Sequence, residues 1–155
     1  MEQVVKFRGK VVNHDPMTNP ENGWVEGYYL QDLDNGVVKH YIFNCPCFWE
    51  VVPDTIGQFT GLHDKNGKEI YEGDIVKNKE VGGYGWERMG VVRYYDKDCR
   101  FGIDITATNK FSTRILFTEG ECTINDGYCT IKYTNEYEVQ GNIHDTPNLL
   151  TDGRD

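Results

Sequence analysis

The feature that most constrains this chain is its punctuation: turn pairs containing glycine recur between short runs rich in Val, Ile, Thr, Tyr and Phe. Such runs suit a pleated, half-buried surface, and glycine lets the chain reverse at positive φ without a steric penalty. Asn35-Gly36, Asn66-Gly67 and Asp126-Gly127 are the strongest of these signals, because each pair accepts the backbone twist of a tight hairpin. Trp24 to Leu30 and Val37 to Phe43 flank the first pair and predict a hairpin across Asp34, Asn35 and Gly36. Glu72-Gly73-Asp74 predicts another turn, before Ile75 and Val76 enter a strand.

Alternation supplies the strands. Val4 to Arg8 sets Val4, Lys6 and Arg8 against Val5 and Phe7, a strand with one face buried. Phe101, Ile103 and Ile105 share one face, and Gly102, Asp104 and Thr106 the other. That strand is expected to pair with Met89 to Tyr95 across Asp96, Lys97 and Asp98. Arg114 to Thr118, Tyr128 to Thr134 and Tyr137 to Gln140 read as further strands. Cys45 to Pro53 is harder to place, since Pro46 cannot donate to a ladder, and it reads as a crossing segment between two halves. No window of helical length carries an apolar stripe capped at both ends. Only Pro147 to Leu150 predicts a short closing turn. Short strands with near-regular turns imply a mainly β protein with little helix, and 155 residues hold one core or two small β subdomains.

The formal charge is −9, and it is not concentrated in one half. Residues 1 to 56 carry 4 Lys and Arg against 8 Asp and Glu, and residues 57 to 155 carry 12 against 17, giving −4 and −5. Binding to a phosphate backbone draws its affinity from clustered cations, so nucleic acid is disfavoured and proteins or small ligands are favoured as partners. The first ten residues lack the apolar core of a signal peptide, and no later run approaches the ~18 apolar residues of a membrane helix. The expectation is a cytoplasmic protein, with no membrane association, whose five cysteines are mostly free thiols.

Several constellations invite chemistry. Cys45-Pro46-Cys47, with His40 and His63 near in sequence and Cys122 and Cys129 elsewhere, is a candidate metal site or thiol centre. Tetrahedral zinc commonly takes two ligand pairs with longer spacing, so buried thiols beside Phe48 and Trp49 are the expected reading. His14-Asp15 and His144-Asp145 place imidazole beside carboxylate, yet both fall next to proline or turn residues and read as surface turns. A Cys nucleophile served by His63 or His144 lacks any local signature. Gly82, Gly83 and Gly85 lack the Lys-Ser or Lys-Thr pair of a phosphate loop and read as the tip of an adaptable hairpin spanning Val81 to Trp86. Arg93, Tyr94, Tyr95 and Arg100 interleave aromatic and basic side chains as single-strand binders do, against the plainer alternative of cross-strand packing.

The segment Ile56 to Val76 opens Ile-Gly-Gln-Phe-Thr-Gly-Leu and closes Glu-Ile-Tyr-Glu-Gly-Asp-Ile-Val. With Val5 to Arg8 and Gly23-Trp24-Val25 with Gly27 before it, and the Val-x-Gly-Asn-Ile-x-Asp-x-Pro-x-Leu-Leu pattern of Glu138 to Leu150 after it, the chain resembles the YopX family. The resemblance implies an N-terminal β subdomain over residues 1–54 that self-associates, then an SH3-like small barrel over 55–155. It also implies a phage or prophage origin in a bacterial host cell, and it supplies no catalytic, metal or cofactor residues to carry over. The resulting expectation is a non-enzymatic accessory protein without a cofactor, homo-oligomeric, that binds a host or phage protein. A nucleic-acid-binding small barrel is the first alternative, and a metal or thiol centre at Cys45 and Cys47 the second.

Overall fold

The computed structural model describes residues 4–15, 20–78, 88–97, 99–104, 114–116, 124–125, 128–129 and 137–150. Among the described residues thirteen strands run β1 (Phe7–Lys10), β2 (Trp24–Asp34), β3 (Val37–Asn44), β4 (Cys47–Glu50), β5 (Gly57–His63), β6 (Glu69–Tyr71), β7 (Asp74–Asn78), β8 (Arg88–Tyr95), β9 (Arg100–Asp104), β10 (Arg114–Leu116), β11 (Ile124–Asn125), β12 (Tyr128–Cys129) and β13 (Tyr137–Asn142). The described residues contain no α-helix, only short 3-10 turns such as Pro147–Leu150. The chain is therefore mainly β, in two main antiparallel sheets that do not close into a barrel over the described residues, with β11 and β12 as a separate pair. It divides into two compact units, Met1–Gly61 and Leu62–Asp155. The division falls inside β5, because Gln58 and Gly57 still pair with Phe7 and Arg8 of β1.

In the first unit the strand order is β4-β3-β2-β1-β5. The β2–β3 hairpin turns through Asn35 (φ 51°) and Gly36 (φ 82°), with Asp34 opposite Val37. Positive φ at both positions is the geometry that matches the strand twist, and the Asn-Gly pair supplies it. β4 then pairs back on β3, Asn44 opposite Cys47 and Phe43 opposite Phe48. This corrects the reading of Cys45 to Pro53 as a crossing segment. Pro46 lies in the turn, where its missing N–H forfeits no ladder bond, and the apolar residues after it form a strand. Just past β4 and β1, Val51 bridges Val11, with Val12 N–H donating to Glu50 O and Val52 N–H to Lys10 O.

Val25, Ile42 and Val51 form the core of this unit, with Phe7, Val11, Trp49 and Ile56 packed around them. The buried Thr55 hydroxyl donates to Val52 O at 2.6 Å and accepts Lys10 N–H at 2.8 Å. Gly27 of β2 lies close against the Phe43 backbone of β3. A Cβ there would stand 2.1 Å from the Phe43 carbonyl oxygen, so no larger side chain fits without moving backbone.

In the second unit β10-β9-β8-β7-β13 form a five-stranded sheet. Ile70, Val76, Val92, Ile103 and Tyr137 make its core, joined by Leu62 and Val139. Phe101 and Ile103 share one face and Gly102 and Asp104 the other, as the alternation predicts. The turn between β5 and β6 departs from the tight Asn-Gly form: Gly67 alone takes positive φ (83°), and Gly67 N–H donates to Asp64 O. β11 pairs with β12 on either side of Asp126-Gly127, a pair outside the described residues.

Asp64 organises that turn. One carboxylate oxygen accepts the N–H groups of Asn66 (2.8 Å) and Lys68 (2.9 Å), and the other accepts Val139 N–H (3.0 Å) from β13. Lys65 N–H donates to Tyr137 O, and its ammonium pairs with Glu138. The edge of β13 away from β7 is thus capped by the turn, which removes bonding groups an edge strand would otherwise leave open. Burial pushes the Asp64 carboxyl upward, but the N–H groups of Val139, Lys68 and Asn66 and the charge of Lys68 outweigh it and hold the group below the usual range. Asp74, also buried, similarly accepts Tyr71 N–H at 2.8 Å.

Gly27→Ala should lower unfolding stability by about 2 kcal/mol or more through overpacking, read as a shift in urea midpoint at constant m-value. For Asp64 the depressed folded pKa means its stabilisation is complete above the unfolded value of about 4 and is lost as pH falls through the folded one. Asp64→Asn should cost about 2 kcal/mol at pH 7 and should flatten the acid limb of a stability-versus-pH curve measured by urea unfolding.

Candidate functional site

Three surfaces carry the side chains with chemical potential. The first is one face of β2, β3 and β4 in the first unit. Tyr28 lies opposite Phe43, and Phe43 opposite Phe48, so three aromatic side chains form one row across three strands. The Phe43 and Phe48 rings are 4.6 Å apart, while Tyr28 and Phe48 remain 69% and 62% exposed. The adjoining row, Leu30 and Tyr41 opposite Glu50, extends the apolar strip. Lys39 borders it, paired with Asp34 (3.2 Å) and Glu50 (3.7 Å). Those carboxylates raise the Lys39 pKa, the Asp34 hydrogen bond foremost. At the far end of the hairpin Leu33, Val37 and Val38 are exposed as well.

The second surface is a cleft of about 430 Å³ whose wall includes Cys45, Cys47, Trp24, Trp49 and Glu26. Both cysteines are free and exposed, which corrects the expectation of buried thiols. The reason is the β3–β4 hairpin: Cys45 sits in its turn and Cys47 at the first position of β4, both beyond the core formed by Val25, Ile42 and Val51. Neither His40 nor His63 lines the cleft. His40 Nδ1 instead lies 2.7 Å from Tyr29 Oη, and the two rings stack at 5.9 Å. No group of three or more His, Cys, Asp or Glu side chains is placed to hold a metal ion among the described residues. Cys122 lies outside them.

The third surface is the β8–β9 pair. Register places Tyr95 opposite Arg100 and Arg93 opposite Gly102, so Arg93, Tyr95 and Arg100 share a face, whereas Tyr94 lies opposite Phe101 on the other. The structure brings three of the four interleaved residues together and separates Tyr94, which packs edge-on against Phe101 at 5.1 Å. Asp104 lies on the same face as Arg93 and approaches its guanidinium at 3.6 Å, reducing the positive field there. Burial raises the Tyr94 pKa, with further contributions from Cys99 and Asp96.

The two His-Asp pairs are placed by turn geometry. Asn142 Oδ1 accepts the N–H groups of His144 and Asp145 (both 2.9 Å), and the Asp145 carboxylate accepts the Asn142 amide at 3.0 Å. His14 Nε2 lies 3.4 Å from the Pro20 carbonyl oxygen, its ring close to Gly23. The glycine loop with Gly82, Gly83 and Gly85 lies outside the described residues.

The sequence model of the family described as YopX protein matches residues 6–151. The chain belongs to the YopX family. No curated protein matches it. Among solved structures, the crystal structure of protein EF1440 from Enterococcus faecalis is 25% identical, covering 96% of this YopX-family chain and 99% of its own, with a TM-score of 0.41. No helix among the described residues is long and apolar enough to cross a membrane.

Sequence reasoning did not single out the Tyr28–Phe43–Phe48 row. The residues belong to three strands, and their alignment depends on the register of two hairpins, the second of which Pro46 conceals in the sequence. The Asn-Gly turn with Asp34 opposite Val37 fixes the first register and was the available signal. Because Cys45, Cys47 and Cys99 are exposed, a thiol-reactive chromogenic disulfide should label at least three cysteines in the native YopX-family protein before urea unfolding, and Cys45→Ser should remove one of them.

Proposed function

We propose that this chain is a non-enzymatic accessory protein of a phage or prophage, working in the cytoplasm of a bacterial host cell, that self-associates through its first unit and acts by binding another macromolecule. The observation that supports it is the Tyr28–Phe43–Phe48 row with Leu30 and Tyr41 beside it. Contiguous exposed apolar area is uncommon on a surface that meets only water, and aromatic side chains are enriched at interface centres. The charged border fits the same role. Lys39 with Asp34 and Glu50 presents both signs at the margin of the strip, the mixture a self-complementary two-fold interface needs.

The second unit serves in this reading as the part that meets a host or phage protein, its sheet continuing into an SH3-like small barrel as the family resemblance implies. The acidic balance of both halves favours a protein over nucleic acid. The nucleic-acid alternative through Arg93, Tyr95 and Arg100 ranks second, since Asp104 shares their face. The non-enzymatic reading is supported by the use of Asn142, His144 and Asp145 in a hydrogen-bonded turn.

Multi-angle light scattering of the purified chain is expected to give at least twice the monomer mass. Tyr28→Asp combined with Phe48→Asp is expected to return it to the monomer with unchanged far-ultraviolet dichroism, since both side chains are exposed. A strict monomer for the unmodified chain at high concentration removes the self-association claim.

A further inference from the structure

The cleft of the first unit holds two cysteines, one residue apart in sequence, both with free and exposed thiols. The turn that carries Cys45 is anchored by the Asn44–Cys47 pairing, so the hairpin and not a mobile tail fixes the separation of the two residues. Trp24 and Trp49 line the same cleft, with Glu26 the one carboxylate in the wall. Glu26 is occupied by the Lys6 ammonium at 2.8 Å. Neither His40 nor His63 contributes to the wall.

That donor set excludes some ions and suits others. Zinc seeks four donors in a tetrahedron, and hard cations seek oxygen ligands. Among the described residues the wall offers two thiols and no third sulfur or imidazole donor, a set that satisfies a soft, closed-shell cation content with two ligands in line, and thiolate is the ligand type that selects copper(I). Trp24, with Arg8 and Lys10 over its ring, and Trp49 line the same cleft as the two cysteines, and aromatic wall favours a weakly hydrated soft ion over a strongly hydrated hard one.

We propose that Cys45 and Cys47 form a two-thiolate site for a soft monovalent cation of the copper(I) class. Binding exchanges two S–H bonds for two S–metal bonds and releases two protons to solvent; the cation's oxidation state does not change. The site is independent of the aromatic row described above, so self-association and cation binding stand or fall separately.

The test uses the full-length chain, reduced and kept under anaerobic conditions, titrated with copper(I) supplied as its acetonitrile complex in the presence of a chromogenic copper(I) chelator. The expected result is withdrawal of one copper(I) per chain from the chelator, accompanied by quenching of tryptophan fluorescence. Cys45→Ser and Cys47→Ser should each weaken binding by about 100-fold or more, beyond what loss of a mere supporting hydrogen bond around a metal costs. The Cys99→Ser/Cys122→Ser/Cys129→Ser triple variant should bind as the unmodified chain does. Copper(I) binding that survives Cys45→Ser, or that is abolished in the triple variant, overturns the assignment. Displacement of the bound copper(I) by equimolar zinc overturns the two-donor chemistry. Both serine variants are expected to fold, because the replaced side chains are exposed, and dichroism spectra that match the unmodified chain verify it.

Discussion

The Asp64 carboxylate is the interaction on which the second unit most depends. It closes its own turn through Asn66 and Lys68 and reaches across 75 residues to Val139. A neutral hydrogen bond contributes about 1 kcal/mol net, and one to a charged group roughly 1.5–3. Three such bonds on one carboxylate therefore outweigh the cost of burying its charge, which is why the group remains ionised despite its poor access to solvent. Lys65 strengthens the same junction through Tyr137 O and Glu138. A single acidic side chain thus converts a local reversal into a clamp on a distant strand.

Strand content and turns were largely legible from the residues. Asn35-Gly36 marked the first hairpin because its φ requirement is local and few residue pairs meet it. Phe101 and Ile103 declared their face because side-chain direction in a strand has a period of two. Cys45 to Pro53 conceals its strand, since a proline in an apolar run argues against a ladder and only the pairing of Asn44 with Cys47 shows that Pro46 occupies a turn. The exposure of Cys45 and Cys47 was equally hidden. Cysteine is among the most often buried residue types, and only the placement of the hairpin turn beyond the core reverses that tendency.

Site information followed the same division. The separation of Tyr94 from Arg93, Tyr95 and Arg100 was implicit in alternation, but the neutralising approach of Asp104 needed the β8–β9 register. The aromatic row needed two registers at once. His144-Asp145, by contrast, was readable as a turn from its proline and turn-residue neighbours, and the structure adds that the Asn142 side chain captures the N–H groups of both residues. Contacts set by neighbours in sequence were visible; those set by pairing between strands were not.

The pairing of β13 with β7 has a consequence for the order of events when a ribosome makes this protein. Strands β1 to β4 and the start of β5 find their partners among residues already synthesised, so the first unit can collapse early. Strand β7, one in from the edge of its sheet, waits for segment 137–142 before its second neighbour exists. At about 5–20 residues added per second, that wait lasts several seconds, during which the flank of β7 stands open and chaperone attention has the most to gain.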